Sequence, residues 1–182
     1  MVSEVPLHVI HLDQDDPRKC TARRLGSHGL AKLQFDIRNA PKRGFLLDPT
    51  ATVVLGPEDK RMIDLGGSIV ALDCSWKKVG ESLTLLDQLT MLESRSLPIL
   101  LASNPVSWGK PGRLSTAEAL AASLYLMGRN EQAIRVLNPF PFGEQFMELN
   151  KEPLNAYVGA LSREELTGLQ WEFFDSGRSA NH

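Results

Sequence analysis

The stretch Gly66-Gly67-Ser68-Ile69-Val70-Ala71-Leu72-Asp73-Cys74-Ser75-Trp76 constrains the fold of this chain more than any other. Ser68 to Leu72 is a short apolar run behind a glycine pair. Runs of this kind read as strands buried on both faces, the habit of parallel sheets covered by helices. The run stops at Asp73, where an acid, a thiol, a hydroxyl and an indole follow one another without a spacer. Ligands of open α/β sheets bind outside the carboxyl ends of the strands. Asp73 to Trp76 is therefore a candidate site. Leu97 to Ala102 repeats the pattern and ends in Ser103-Asn104-Pro105-Val106-Ser107-Trp108-Gly109. Two strand ends with polar tips, each with a tryptophan, suggest one shared crevice.

The remaining segments fill in around these two. Val5 to Leu12 reads as a first strand, and Asp16-Pro17 opens a short helix over 18–25. Phe35 to Asn39 suggests a short strand, Phe45 to Leu47 leads into a turn at Asp48-Pro49, and the β-branched Thr50 to Leu55 predicts another strand. Pro57 starts a short helix carrying Met62, Ile63 and Leu65. A longer helix over 81–93 places Leu85, Leu86, Leu89 and Leu92 at helical spacing, facing the sheet. Ser115-Thr116-Ala117-Glu118 is a capping box, and it opens an alanine-rich helix that ends at Gly128. Beyond Asn130, read as a helix cap, only short helices follow, with a second capping box at Ser162. Residues 176–182 have the composition of a disordered tail. The fold class is α/β, in order mixed α/β and then helical.

Composition narrows the function classes. The chain of 182 residues is 42% apolar and 23% charged, ordinary for a globular protein. No window approaches the roughly 18 apolar residues of a membrane span, and no signal-peptide core is visible at the start. Two cysteines, Cys20 and Cys74, are too few for a disulfide framework, so a cytoplasmic location is expected. Cys20 with His8, His11 and His28 matches no ligand spacing, and no metal is expected. Net charge is −2, but it is unevenly spread. From Arg18 to Arg43 eight cations face Asp36 alone, a balance of +7, whereas Glu144 to Asp175 carries a balance of −5. The basic segment is either a polyanion-binding face or merely a solvated one.

Several spaced motifs resemble one family. They are Leu72-Asp73-Cys74-Ser75-Trp76, Arg95-x-Leu97-Pro98, Ala102-x-Asn104-Pro105-Val106-x-Trp108-Gly109 and Leu114-Ser115-Thr116-x-Glu118-Ala119. They are flanked by Asp16-Pro17-Arg18-Lys19-Cys20-Thr21 and by Phe142-Gly143-x-x-Phe146-x-x-x-Asn150 with Tyr157. In order, and over roughly residues 5–160, they are similar to the aminocarboxypropyltransferases that modify small-subunit ribosomal RNA. The resemblance implies a SPOUT-like trefoil-knotted domain over 67–182, ending in helices, behind a smaller basic α/β lobe over 1–66. It implies transfer of the 3-amino-3-carboxypropyl group of S-adenosylmethionine to N3 of a pseudouridine derivative, with 5′-methylthioadenosine as by-product. The expected partner is small-subunit ribosomal RNA in the pre-ribosomal particle, and the expected state a monomer. Trp108 stands where the family often has tyrosine, and Gly112 where it often has an aromatic. Both read as altered packing of the wall near the cofactor.

Residue by residue, the resemblance gives Trp76 the carboxylate of the methionine moiety and gives Thr21 and Leu72 the ribose. Leu97 and Gly112 would meet the adenine through their backbones, with Thr116 nearby. Asp73 suits a general base for a weakly acidic N3–H, or else a cap for the turn that follows it. Trp76 has a core alternative and Thr116 a helix-start alternative. Cys74 reads as a small buried filler, since displacement at a sulfonium needs no covalent intermediate. Lys19, Arg23, Arg24, Lys42 and Arg43 are the candidates for RNA phosphates. Two other readings stay open: a SPOUT-class RNA methyltransferase on the same cofactor, and a non-catalytic ribosome-assembly factor.

Overall fold

Strand β4 (Ser68–Asp73) lies at the centre of a five-stranded sheet, as its apolar run requires. It pairs in parallel with β1 (Leu7–His11) on one side and β3 (Gly44–Leu47) on the other. The outer strands are β2 (Lys32–Gln34) beside β1 and β5 (Glu93–Arg95) beside β3, also parallel. The computed structural model describes residues 3–12, 21–73 and 76–174, without the side chains of 76–79. The tail at 176–182 and the stretch from Asp13 to Cys20 lie outside the described residues.

Alternation along the strands sorts the core onto two faces. Leu7, Val9, Phe45, Leu47, Ile69 and Ala71 belong to a large cluster on one face, with α4 (Thr116–Leu126) as its main cover. Ile10, Leu46 and Val70 face the other way, against Leu86 of α3 (Trp76–Leu89) and Ile37 of a 3-10 turn. The first face also takes α1 (Thr21–Ser27), whose Ala22 and Leu25 are buried. After α4 come α5 (Asn130–Leu137), α6 (Gly143–Leu149), α7 (Lys151–Gly159) and α8 (Arg163–Phe173), the helical end expected from the sequence. Gly44 sits at φ +138 against the Ser68 backbone, where an added Cβ would collide with the Ser68 carbonyl. Glycine is required there by that close approach.

Several local readings differ from what forms. Phe35 to Asn39 is not a strand, because the Asp36 carboxylate accepts the Arg38 amide at 2.9 Å and turns the chain into the 3-10 turn. Thr50 to Leu55 is not one either. Asp48 Oδ1 accepts from the Thr50 amide at 2.8 Å and its hydroxyl at 2.7 Å, and only Val54 forms a bridge, to Ser96. Pro57–Asp59 forms a 3-10 turn that continues into α2 (Lys60–Asp64). The α3 helix starts and stops earlier than its leucine spacing predicts, and its inner face runs through Leu86 and not through Leu85 and Leu89. Leu86 is 1% exposed, while Leu85 is 45% exposed. Asn130 opens α5 without capping it by its side chain. The boundary expected at Gly66–Gly67 falls within the sheet, since β4 lies between β1 and β3. Strands from residues 1–66 and from 67–182 therefore share that sheet.

Candidate active site

The second apolar run, Leu97 to Ala102, is not a strand of the sheet; only Leu101 makes a bridge, to Pro111. Its backbone is satisfied largely by side chains from the carboxyl-terminal helices. Ile99 N–H donates to Gln170 Oε1 at 2.9 Å, and the Tyr157 hydroxyl donates to the Ile99 carbonyl at 2.8 Å. Asn150 holds Leu101 from both sides: its Oδ1 accepts the Leu101 amide at 2.7 Å, and its Nδ2 donates to the Leu101 carbonyl at 2.8 Å. Asn150 and Tyr157 are themselves buried. Burial pushes the Tyr157 phenol well above its ordinary pKa, so it remains a donor. The run is thus a strap pinned across the sheet end by α6 to α8 and the residues between them.

A cleft of ≈ 250 Å³ opens between this strap, the ends of β3 and β4, and the start of α4. Ala71, Leu72, Leu97, Leu100 and Leu114 supply apolar walls, and Ser115, Thr116 and Asp48 supply polar edges. Neither the N–H nor the C=O of Leu97 has a hydrogen-bond partner among the described residues. A backbone pair with no protein partner beside an apolar cleft can serve a ligand. The start of α4 is fixed by Glu118, fully buried. Its Oε1 accepts from the Ser115 amide at 2.9 Å and Asn104 Nδ2 at 2.7 Å, and its Oε2 from the Ser103 amide at 2.7 Å and hydroxyl at 3.0 Å. The capping box is therefore also the anchor of the segment that follows the strap.

Beside the cleft, the strand ends of β1 and β4 bring His11 opposite Asp73 in register. His11 Nδ1 is 3.0 Å from Asp73 Oδ2. A carboxylate only accepts, so Nδ1 carries the hydrogen and donates it. His11 is 1% exposed and edge-on to Phe35, and its Nε2 has no partner among the described residues. The histidine thereby fixes the orientation of a half-buried carboxylate. The sequence offered one signal for this pair, the equal placement of His11 and Asp73 at the ends of two apolar runs, but not their adjacency. Farther along the same edge, buried Asp59 lies 3.2 Å from Arg95 Nε and 2.7 Å from Arg163 Nη2. Arg95 also lies over the Phe45 ring at 5.1 Å and lines the cleft with its charge already matched.

Of the residues expected at the site, Leu72, Leu97, Gly112 and Thr116 meet at the cleft. Asp73 and Thr21 are not among its described lining; Asp73 adjoins Leu72, and Thr21 begins α1. The Trp76 backbone starts α3, while its side chain, like Cys74, Ser75 and Lys19, lies outside the described residues. Trp108 does not form the cleft wall and is 50% exposed. The two polar tips do not form one crevice as expected, because Ser103 and Asn104 turn inward to Glu118. The basic residues are dispersed. Arg23 and Arg24 lie exposed on α1, where Arg24 donates to the Pro139 carbonyl at 3.3 Å and sits 5.6 Å from the Phe140 ring centroid. Lys42 and Arg43 precede β3 at the edge of the sheet opposite the cleft; Lys42 reaches the Leu89 carbonyl at 3.4 Å.

A parallel sheet with its cleft outside the central carboxyl ends defines an α/β protein with a candidate ligand site in the usual place for such sheets. Residues 45–174 match the family "Ribosome biogenesis protein, C-terminal". The chain is 43% identical to the 16S rRNA aminocarboxypropyltransferase of Methanosarcina acetivorans, over 92% of this chain and 93% of the relative. It is 40% identical to the enzyme of the same name from Halobacterium salinarum, over 94% of this chain and 98% of that one. The solved structure of the SAM-dependent rRNA:acp-transferase Tsr3 from Vulcanisaeta distributa superposes with a TM-score of 0.75 at 33% identity, covering 95% of this chain and 96% of that one. The chain belongs to the 16S rRNA aminocarboxypropyltransferase family. Residues 5–34 also match a possible Fer4-like domain in RNase L inhibitor. That segment holds a single cysteine, Cys20, where an iron–sulfur cluster takes four thiolates, so it does not supply a cluster site.

Proposed function

We propose that this chain is an S-adenosylmethionine-dependent ribosomal RNA aminocarboxypropyltransferase acting in biogenesis of the small ribosomal subunit. The observation that carries the reading is the cleft at the sheet end, with Leu72, Leu97, Gly112 and Thr116 around it, in a chain alike over nearly its whole length to enzymes of that name. The cleft fits the donor. Its apolar walls suit the faces of an adenine, and the unpaired Leu97 backbone suits an adenine edge. In this reading Leu97 and Gly112 hold the adenine, with Thr116 beside it, Leu72 and Thr21 hold the ribose, and Trp76 holds the carboxylate of the methionine tail. The acceptor is N3 of a pseudouridine or methylated pseudouridine. Its nitrogen attacks the γ-carbon of the tail, the carbon–sulfur bond breaks, and 5′-methylthioadenosine leaves as a neutral thioether.

Asp73 takes the N3 proton, and His11 holds Asp73 in place as a positioning residue. Because the sulfonium is already an activated leaving group, orientation is the main contribution of the protein. Lys19, Arg23, Arg24, Lys42 and Arg43 contact phosphates of small-subunit ribosomal RNA, so that residues 1–66 are the RNA-facing part and 67–182 the bulk of the cofactor-binding part. Similarity to the family supports a SPOUT-like trefoil knot in that second part, a monomeric state and a cytoplasmic location. Among the described residues no helix is long and apolar enough to cross a membrane.

Two labelled donors, one at the methyl and one at the carboxyl carbon, test the reaction on small-subunit RNA lacking the modification. Only the carboxyl label should enter RNA, with 5′-methylthioadenosine released. Methyl label in RNA with S-adenosylhomocysteine would make the chain a methyltransferase. No label from either donor, with RNA still bound, would make it an assembly factor.

A further inference from the structure

From Ala102 to Gly112 the chain makes a tight hairpin between the strap and α4. Its stem is closed by Gly109 N–H to the Ala102 carbonyl at 2.7 Å, Ala102 N–H to the Lys110 carbonyl at 3.1 Å and Gly112 N–H to the Leu100 carbonyl at 3.0 Å. Asn104 closes the turn. Its Oδ1 accepts the Ser107 amide at 3.0 Å, while its Nδ2 donates to the Arg113 carbonyl at 3.2 Å and to buried Glu118. The backbone is thus held from below by a buried network, yet the apolar side chains at the tip are left open to solvent. Val106 is 88% exposed, and the Trp108 indole is half exposed. Lys110 and Arg113 are exposed, and neither forms an ion pair among the described residues. No acidic residue occurs from Ser103 to Leu114.

An exposed indole on a rigid stem, flanked by unmatched cations, has the chemistry of a single-stranded nucleic-acid contact. Bases stack on aromatic faces, and phosphates are met by Lys and Arg. Position favours the same reading, since Gly112 at the hairpin's end lines the cleft. An acceptor base must arrive at that end of the sheet. Lys42 and Arg43 stand at the other end of β3, roughly 10–13 Å away along the strand. They cannot be the contacts nearest the reacting base. We infer that the hairpin tip is the RNA-docking element next to the acceptor: Trp108 stacks on an unpaired base close to the modified one, and Lys110 and Arg113 hold the adjoining phosphates.

This inference rests on the transferase reading, and its test is arranged so that the two fail separately. Dissociation constants for a small-subunit ribosomal RNA transcript are measured against salt, and donor affinity is measured by calorimetry, for the parent chain and each variant. Trp108→Ala should weaken RNA binding about tenfold at fixed salt, with Trp108→Tyr restoring most of it. The double variant Lys110→Ala, Arg113→Ala should lower the slope of log affinity against log salt by about 1.4. Donor affinity should stay at the parental value in all three. Parental RNA affinity and slope throughout would overturn the inference. So would a loss of donor affinity in Trp108→Ala, which would put the indole in the cofactor wall. A defect seen only with the assembled particle and not with bare RNA would also overturn it, as a protein contact. A parent chain that binds RNA but no donor would remove the transferase reading, while the hairpin comparison would still read out.

Discussion

Two apolar runs with polar tips look alike in the sequence, Ser68 to Asp73 and Leu97 to Asn104, and the fold treats them in opposite ways. The first is a central strand whose backbone is paired on both sides. Its acid stays at the surface of the site, half-buried and aimed by His11. The second run leaves the sheet, and its polar tip is turned inward to Glu118. Its backbone is held by Asn150, Tyr157 and Gln170, which lie 49–71 residues further along the chain. A ladder uses up every backbone group of a central strand. Side-chain pinning is selective, and it leaves the Leu97 amide and carbonyl unpaired in the cleft. Taking the run out of the sheet is what makes its backbone available to a ligand.

Substitutions that strip the pins should break this contrast most strongly. Glu118→Ala removes the acceptor for two backbone amides and the Asn104 side chain, all at a fully buried site. Leaving such donors unmatched should cost about 3–5 kcal/mol in urea unfolding. A cost below about 1 kcal/mol would mean that the hairpin base is held by something else. Asn150→Ala abandons one amide and one carbonyl of Leu101 and should cost about 2–3 kcal/mol. Its donor affinity should fall as well, because Leu100 and Leu97 line the cleft. Unchanged affinity in a folded Asn150→Ala protein would separate the strap from the donor site.

The first run should respond in rate and less in binding. In His11→Asn the Asp73 carboxylate loses its aim, and kcat should drop about tenfold, equivalent to about 1.4 kcal/mol. The KM for S-adenosylmethionine should hold, since His11 does not line the cleft. A rise in KM at constant kcat would place His11 in donor binding and remove the positioning role.

Period and punctuation were enough for β1, β4, the α4 capping box and the succession of helices at the end, because each depends on residues within a few positions of one another. The motifs also named Leu72, Leu97, Gly112 and Thr116, which the fold brings to one cleft. Other features were settled only by the folded chain. Thr50 to Leu55 has strand composition, but the Asp48 carboxylate captured the Thr50 amide first. Leu85 and Leu86 lie side by side on α3, and only packing against the sheet decided that Leu86 is the one buried. Whether an apolar run joins a sheet depends on which partner reaches its backbone. For Leu97 to Ala102 those partners are an asparagine, a tyrosine and a glutamine from distant helices. The sequence by itself determined the two neighbouring strands β1 and β4 and the chemistry at their carboxyl ends. The tertiary structure decided which backbone groups were left for a ligand, because a hydrogen bond to a side chain far along the chain leaves no periodicity to read.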